Sequence, residues 1–400
     1  MKHFLSLVYV AALALMLSAG ASAREITVDG MVFKTNRTAK IATFTKLAKP
    51  SDSKWKNQVT IPATVTDGDV KCSVTKIDAG ALYEHTTKAV SIPSTVTEIG
   101  SYAFYKTEFT EITLPSGLKT LGEGVFKDSK LQKVTIPASV TSIGDYAFSS
   151  PNFIKIAFKA RTANLTLGMG VFWHAGITSL TLPSTLTTVP NSAFGGNPEL
   201  TTVNFSRGLV SIEEGGFGNT GIKSLNLPAS LKPIGNIAFT LVKITELTLP
   251  GNVTTIGAKA FYDCPNLAKV NLPASVTSIG AQAFDECREI KFVASANPNP
   301  PVLGTDCFYW STYQNADLLL SSDAAIERYK VANEWKRFNW LANAGIGDVE
   351  ADAEVDPELP CTVYNLNGSL VTTCEADELD RLPSGVYVVR QGDKVSKICR

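Results

Sequence analysis

The groups in this 400-residue chain best suited to catalysis or metal binding are two histidines, His85 and His174, and seven cysteines; a third histidine, His3, sits in the N-terminal leader. A proton-transfer dyad or a metal site needs such groups within one hydrogen bond or one coordination shell of each other. The sequence contains no His-Glu-x-x-His, no Gly-x-Ser-x-Gly, no phosphate-cradling glycine loop and no Cys-x-x-Cys. His85 and His174 fall about four periods apart in the repeat described below, so each is expected to be a solvated turn residue and the two to share no site. No catalytic, cofactor-binding or metal-ligating residue is assigned, and no enzyme activity is expected.

Five of the seven cysteines fall into two groups. Cys264 and Cys287 occupy one repeat position, three residues after a Phe, where other units carry Thr107, Ser129, Ala175 and Thr220. Side chains stacked in register point the same way and hold Cβ atoms too far apart to bridge, so buried thiols are expected. Cys361, Cys374 and Cys399 lie together near the C-terminus, where one bridge among the three is open.

What would have to position any of these groups is a repeat. Leu82, Phe104, Phe126, Phe148, Phe172, Phe194, Phe217, Phe239, Phe261, Phe284 and Phe308 recur every 22 to 24 residues, and a proline ladder from Pro62 to Pro273 accompanies them, with Lys159 and Ser206 where prolines are missing. In Leu131-Gln-Lys-Val-Thr-Ile136 the apolar residues suit a short strand with one buried side. Pro137 ends that strand, because it lacks an amide hydrogen. Val140 and Ile143 make a second apolar pair, Gly144 permits a turn, and Asp145–Phe148 reads as a helical turn burying Phe148. One such unit buries too little to offset its ordering entropy, so stability must come from stacking on its neighbours. About ten coils would form a parallel-sheet slab roughly 50 Å long.

Lys2 and His3, the apolar run Phe4–Leu17 and Ala21-Ser-Ala23 read as a cleavable export signal. The predicted organisation is a signal peptide at 1–23, an N-terminal β cap and irregular first repeat at 24–78 with Asp29-Gly30 as a hairpin turn, a solenoid at 79–310, and a cap at 311–345. The cap contains a helix over Ser321–Leu341 with Ser322 as N-cap and Ile326, Tyr329, Val331, Trp335 and Phe338 on its apolar stripe. An acidic linker at 346–360 precedes a small all-β module at 361–400, read as a β-sandwich with turns at Asn367-Gly368, Pro383–Gly385 and Gln391–Asp393. The 37 basic and 37 acidic residues balance, which excludes the basic footprint of a nucleic-acid binder. After the signal no apolar run spans a bilayer.

The unit Val-x-Ile/Leu-Pro-x-x-Val-Thr-x-Ile-Gly-x-x-Ala-Phe, intact at 134–148 and 270–284, resembles the BspA-type leucine-rich repeat of bacterial surface proteins. The phrases Val363–Gly368 and Leu382–Val388 resemble C-terminal sorting domains of surface proteins in the same Bacteroides-like bacteria. The resemblance implies a repeat solenoid, secreted or on the cell surface, that acts as an adhesin toward a protein on a host or bacterial surface; a cell-surface glycan-binding protein is the alternative. The residues themselves leave the oligomeric state and the ligand open. The candidate partner-binding strand face comprises Lys133, Thr135, Lys155, Asn204, Lys223, Asn226, Glu246, Lys269 and Asn271, with Trp173 and Tyr262 as candidate loop contacts. Two irregular units, 149–172 with a bulged loop and 205–217 with Phe205-Ser206 for Ile-Pro, are further landmarks.

Overall fold

The computed structural model describes residues 23–150, 155–339, 356, 359–365, 370–382, 386–391 and 394–399, so the predicted signal peptide and most of the acidic linker lie outside the described residues. The chain forms two compact units, residues 1–176 and 177–400.

Unit 1 opens with an antiparallel meander, Arg24–Val28, Met31–Asn36 and Ile41–Leu47. Asp29 and Gly30 both take positive φ at its first turn, as a tight hairpin with right-handed strand twist demands. Ile41–Leu47 pairs parallel with Val70–Ile77, which also forms a hairpin with Thr64–Asp67. Val70–Ile77 then starts a parallel ladder of two-residue strands, Glu98–Ile99, Thr120–Leu121, Ser142–Ile143 and Thr166–Leu167. The cap thus supplies the first rung of the sheet, and the solenoid's exposed edge is covered by covalently continuous strands.

The continuous ladder therefore runs through the second member of each unit's second apolar pair, such as Ile143, and the residue before it. The longer strand before the proline, expected to pair from coil to coil, does so only in patches. In unit 1 the patches are Val59–Thr60 with Val90–Ser91 and Lys133–Ile136 with Lys155–Phe158. In unit 2 the short-strand ladder runs unbroken from Thr188–Val189 to Val302–Leu303, whereas the front strands pair as Ser179–Thr181 with Thr202–Asn204 and, separately, from Glu246–Thr248 through Lys269–Leu272 and Phe292–Ser295 to Asp317–Leu320.

A third ladder runs through the turns. The amides of Tyr102, Phe104 and Lys106 donate to Glu123, Val125 and Lys127 of the next coil at 2.7–3.0 Å. The turn closes by the Gly100–Ala103 and Tyr102–Tyr105 hydrogen bonds, with Tyr102 at φ 55°. The predicted helical turn is accordingly a pair of reverse turns joined by a left-handed residue, repeated at Tyr146. Gly144 is not the left-handed position. A Cβ there would lie 2.5 Å from the backbone N of Glu123 in the preceding coil, so glycine serves close approach between coils. Inside, the phenylalanines stack: Phe104, Phe126, Phe148 and Phe172 in unit 1, and Phe194 through Phe308 in unit 2, with successive centroids 5.2–5.7 Å apart.

The irregular units find local substitutes. In the long coil before Phe172, Arg161 is buried and donates to the carbonyls of Val140 (2.8 Å) and Pro137 (3.0 Å). At Ser206 the hydroxyl donates to Ser184 O and accepts from Gly208 N, so it holds the turn that proline shapes elsewhere.

The end of unit 2 is closed by an aromatic cluster. Ser322 caps a helix, as expected, but the helix ends at Val331, which is exposed; Glu334 takes φ 62°, and Trp335–Arg337 forms a separate 3-10 turn. An unpredicted helix, Trp310–Asn315, adds Tyr313. Tyr313, Trp335 and Phe338 pack on Phe308, while Trp335 donates its indole N–H to Pro301 O.

The C-terminal strands form one four-stranded antiparallel sheet in the order Leu370–Cys374, Cys361–Asn365, Val386–Gln391, Lys394–Cys399, in place of the two facing sheets of a sandwich. Leu379 of a 3-10 segment, Ala376–Arg381, packs with Cys361, Val363, Tyr387 and Val389. Val388 packs on Ala294 and Leu319 at the front of the last coils. The expected turns at 367–368 and 383–385, and residues 392–393 of the third, lie outside the described residues.

Candidate functional site

The histidines do not form a site. His85 is buried, correcting the expectation of a solvated residue: Nδ1 accepts from Thr87 N (3.1 Å) and Nε2 lies 3.0 Å from Pro50 O. It ties the cap to the first regular coil. His174 is exposed on its turn. Cys264 and Cys287 are free buried thiols that donate to Phe239 O and Phe261 O. Those two carbonyls belong to the preceding coil, whereas Thr107 and Thr220 at the same repeat position donate to their own coil's phenylalanine, at Phe104 O and Phe217 O. These four column residues each supply a donor for a buried phenylalanine carbonyl, and burial pushes the Cys287 thiol well up. Among the described residues no group of three or more His, Cys, Asp or Glu side chains is arranged to hold a metal, and no helix is long and apolar enough to cross a membrane.

The strand face breaks into separate neighbourhoods. In unit 1, Lys133, Thr135 and Lys155 are exposed on one strand pair, where Lys133 and Lys155 are register partners. Beside them the ladder is interrupted. Residues 111–114 reach the next coil through a single bridge, Glu111 to Lys133, and form no strand pair with Val90–Ser91. Val90, Ile92 and Ile112 are consequently half-buried, although their counterparts Val134 and Ile136 are buried. Two depressions of about 600 and 340 Å³ open here, and the exposed Lys159 borders both. Nearby Glu108 is already engaged by Lys130 (2.8 Å) and Lys88 (3.1 Å), whose hydrogen bonds hold its carboxyl below the usual range.

In unit 2, Asn204 donates to Thr181 Oγ1 at 3.1 Å, and Lys223 and Asn226 are exposed on a coil outside any strand. Glu246 is exposed, but Asn271 is buried and donates to Thr248 Oγ1 at 2.9 Å. Lys269 is half-buried with its ammonium 5.5 Å over the Phe292 ring, which stacks on Tyr364. Lys269 and Asn271 are thus drawn into packing at the end of the array and are not open face residues. Arg390 of the terminal sheet also pairs with Asp317 at 3.1 Å.

Of the loop contacts, Trp173 is exposed and Tyr262 half-buried beneath Lys259. An aromatic group not anticipated from the sequence lies on the turns of unit 1. The Tyr83 and Tyr105 rings stack at 4.7 Å, Tyr102 meets Tyr105 edge-on, and Tyr83 is exposed. The 22-residue interval between Tyr83 and Tyr105 was the available signal.

With three ladders and the phenylalanine stack in place, comparison with known families is decisive. A model described as a BspA-type leucine-rich repeat region matches in six copies over residues 75–166 and 165–291, more than half of the chain. The chain belongs to the BspA-type leucine-rich repeat family. Solved structures similar to this BspA-type chain include a leucine-rich repeat protein from Bacteroides ovatus, at 22% identity over 71% of this chain and 91% of that one with a TM-score of 0.48. A leucine-rich cell surface protein from Faecalibacterium prausnitzii shares 21% identity over 74% and 88% of the two chains (TM-score 0.40). The pneumococcal vaccine antigen PcpA shares 19% over 75% and 88% (TM-score 0.47). Among curated proteins none matches.

Proposed function

We propose that this protein is a non-enzymatic adhesin, secreted or displayed on the cell surface, that holds a protein on a host or bacterial surface through the strand face of unit 1. The carrying observation is the interrupted ladder beside Lys133 and Lys155, which leaves half-buried aliphatic side chains and strand backbone open in the same place. Apolar floor with a charged rim is the anatomy of a protein-binding patch. Export by the N-terminal segment and surface retention through the terminal module complete the reading.

A second reading, glycan binding, draws on the Tyr83–Tyr105 stack and exposed Trp173, since sugar rings dock on aromatic faces. The purified full chain is tested against a panel of matrix and bacterial surface proteins beside a glycan array. The adhesin reading expects capture of a protein that survives Tyr83→Ala and Trp173→Ala. Binding to glycans alone, lost in those variants, would replace it.

A further inference from the structure

We infer that the groove of unit 1 receives an extended acidic peptide segment of the partner, one that alternates carboxylates with aliphatic side chains. This inference rests on the protein-binding reading and specifies its chemistry.

Charge comes first. Lys133 and Lys155 are direct register partners on adjacent parallel strands, and both are exposed. Strand neighbours lie about 4.8 Å apart, and like charges placed directly opposite destabilise a sheet. Among the described residues neither lysine joins an ion pair, and Lys159 at the groove's border joins none. The nearest column partner is Glu111, one carboxylate against three ammonium groups. Elsewhere the same column pairs opposite charges, Glu246 beside Lys269. The unit 1 face thus carries local positive charge that its own sheet does not neutralise.

Backbone and apolar surface decide what kind of anion fits. Residues 112–114 form no strand pair with Val90, although the same two coils are paired at Ile99 and Leu121, so main-chain amide and carbonyl groups border the groove. An added strand gains affinity from such groups and specificity from pockets for alternate side chains. Val90, Ile92 and Ile112 supply those apolar contacts. No aromatic side chain borders either depression, so a sugar ring would find no platform there. An anionic polysaccharide would answer the lysines only; an acidic, aliphatic peptide answers all three features.

The test measures binding of the full chain to a fluorescent peptide of alternating Asp and Val by polarisation. A Lys-Val peptide and a heparin oligosaccharide serve as comparison probes. The acidic peptide is expected to bind, to weaken as salt rises, and to lose about tenfold or more in affinity with Lys133→Glu plus Lys155→Glu. Lys223→Glu, outside the groove, leaves binding unchanged. Equal binding of the Lys-Val peptide, indifference to the double variant, or binding of heparin alone each overturns the inference. A chain that captures surface proteins but ignores the acidic peptide sinks this inference and leaves the adhesin reading standing; a chain that captures no protein sinks the adhesin reading itself. Thermal melting of the double variant confirms that the solenoid is folded.

Discussion

Cys361 and Cys374 face each other across adjacent antiparallel strands, register partners in the terminal sheet, both as free thiols. Directly opposed residues have Cα atoms about 4.5–5.5 Å apart, inside the range a disulfide spans. Cys399 pairs instead with Val386, at the opposite end of the strand whose Gln391 donates to Cys361 Sγ. The three pairings left open by the sequence reduce to one. Incubation with oxidised glutathione is expected to link Cys361 to Cys374 by two successive exchanges, releasing two equivalents of reduced glutathione. Peptide mapping by mass spectrometry reads the product, and a bridge to Cys399 would contradict the register. Burial raises both thiols above their ordinary range, so less thiolate exists at neutral pH and the exchange should accelerate as pH rises. Closing a loop of about 14 residues adds roughly 3 kcal/mol in the chain-entropy account.

Coil-to-coil approach sets a second expectation. A Cβ at Gly144 would lie 2.5 Å from Glu123 N and 2.7 Å from the Gly122 carbonyl carbon, both backbone, so Gly144→Ala must push two coils apart. A loss of about 2–4 kcal/mol is expected in chemical denaturation, in the range of severe overpacking. Gly251 has nothing within 4 Å of its would-be Cβ. Gly251→Ala should be neutral or stabilising by about 0.5 kcal/mol, and an equal loss in both variants would refute the crowding argument.

Arg161 is a buried guanidinium whose described hydrogen bonds go to carbonyls, with Nε unsatisfied, and desolvation lowers its pKa from the ordinary arginine value. Its planar fork reaches Val140 O and Pro137 O together. Arg161→Ala strands both acceptors, for an expected cost of about 2–4 kcal/mol. Arg161→Lys should rescue little, because one ammonium cannot reproduce the fork. Full rescue by lysine in thermal melts would show that charge alone matters there.

The aromatic cap should make the fold alkali-sensitive. Tyr329 is buried, its hydroxyl 2.8 Å from Ser295 Oγ and 2.8 Å from Asn297 O, and burial pushes its pKa up to about 12. The folded form therefore favours the neutral phenol. This contribution is intact below pH 10, the unfolded value, and is lost as pH rises from there through about 12. Tyr329→Phe should cost about 1–2 kcal/mol at pH 8 by unpairing Asn297 O, and should flatten the decline between pH 10 and 12. Circular dichroism melts across that range check both, and an unchanged alkaline slope would count against Tyr329 as its source.

Much of the architecture can be read along the chain because a repeat states its core many times. The periodic phenylalanines, apolar pairs such as Val140 and Ile143, and the Asp29-Gly30 turn each specify local geometry, and stacking similar units brings equivalent residues together. The same periodicity misleads where neighbours differ. Gly144 looks like a turn residue until the backbone of Glu123 is seen against it, and Val331 fits a helical stripe until the chain reverses at Glu334.

The sequence alone determined the coil, its 22-residue period, the buried phenylalanine column and the family resemblance, because those depend on contacts repeated at fixed separation. Tertiary structure decided which ladder is continuous, that Asn271 and Lys269 are drawn into packing, and that the front face opens beside Lys133 and Lys155. Glu111-Ile-Thr-Leu-Pro115 follows the same pattern as Lys133-Val-Thr-Ile-Pro137, yet only the latter joins a full strand pair. Whether a strand hydrogen-bonds to its neighbour depends on how two coils settle against each other, and no single coil's residues encode that.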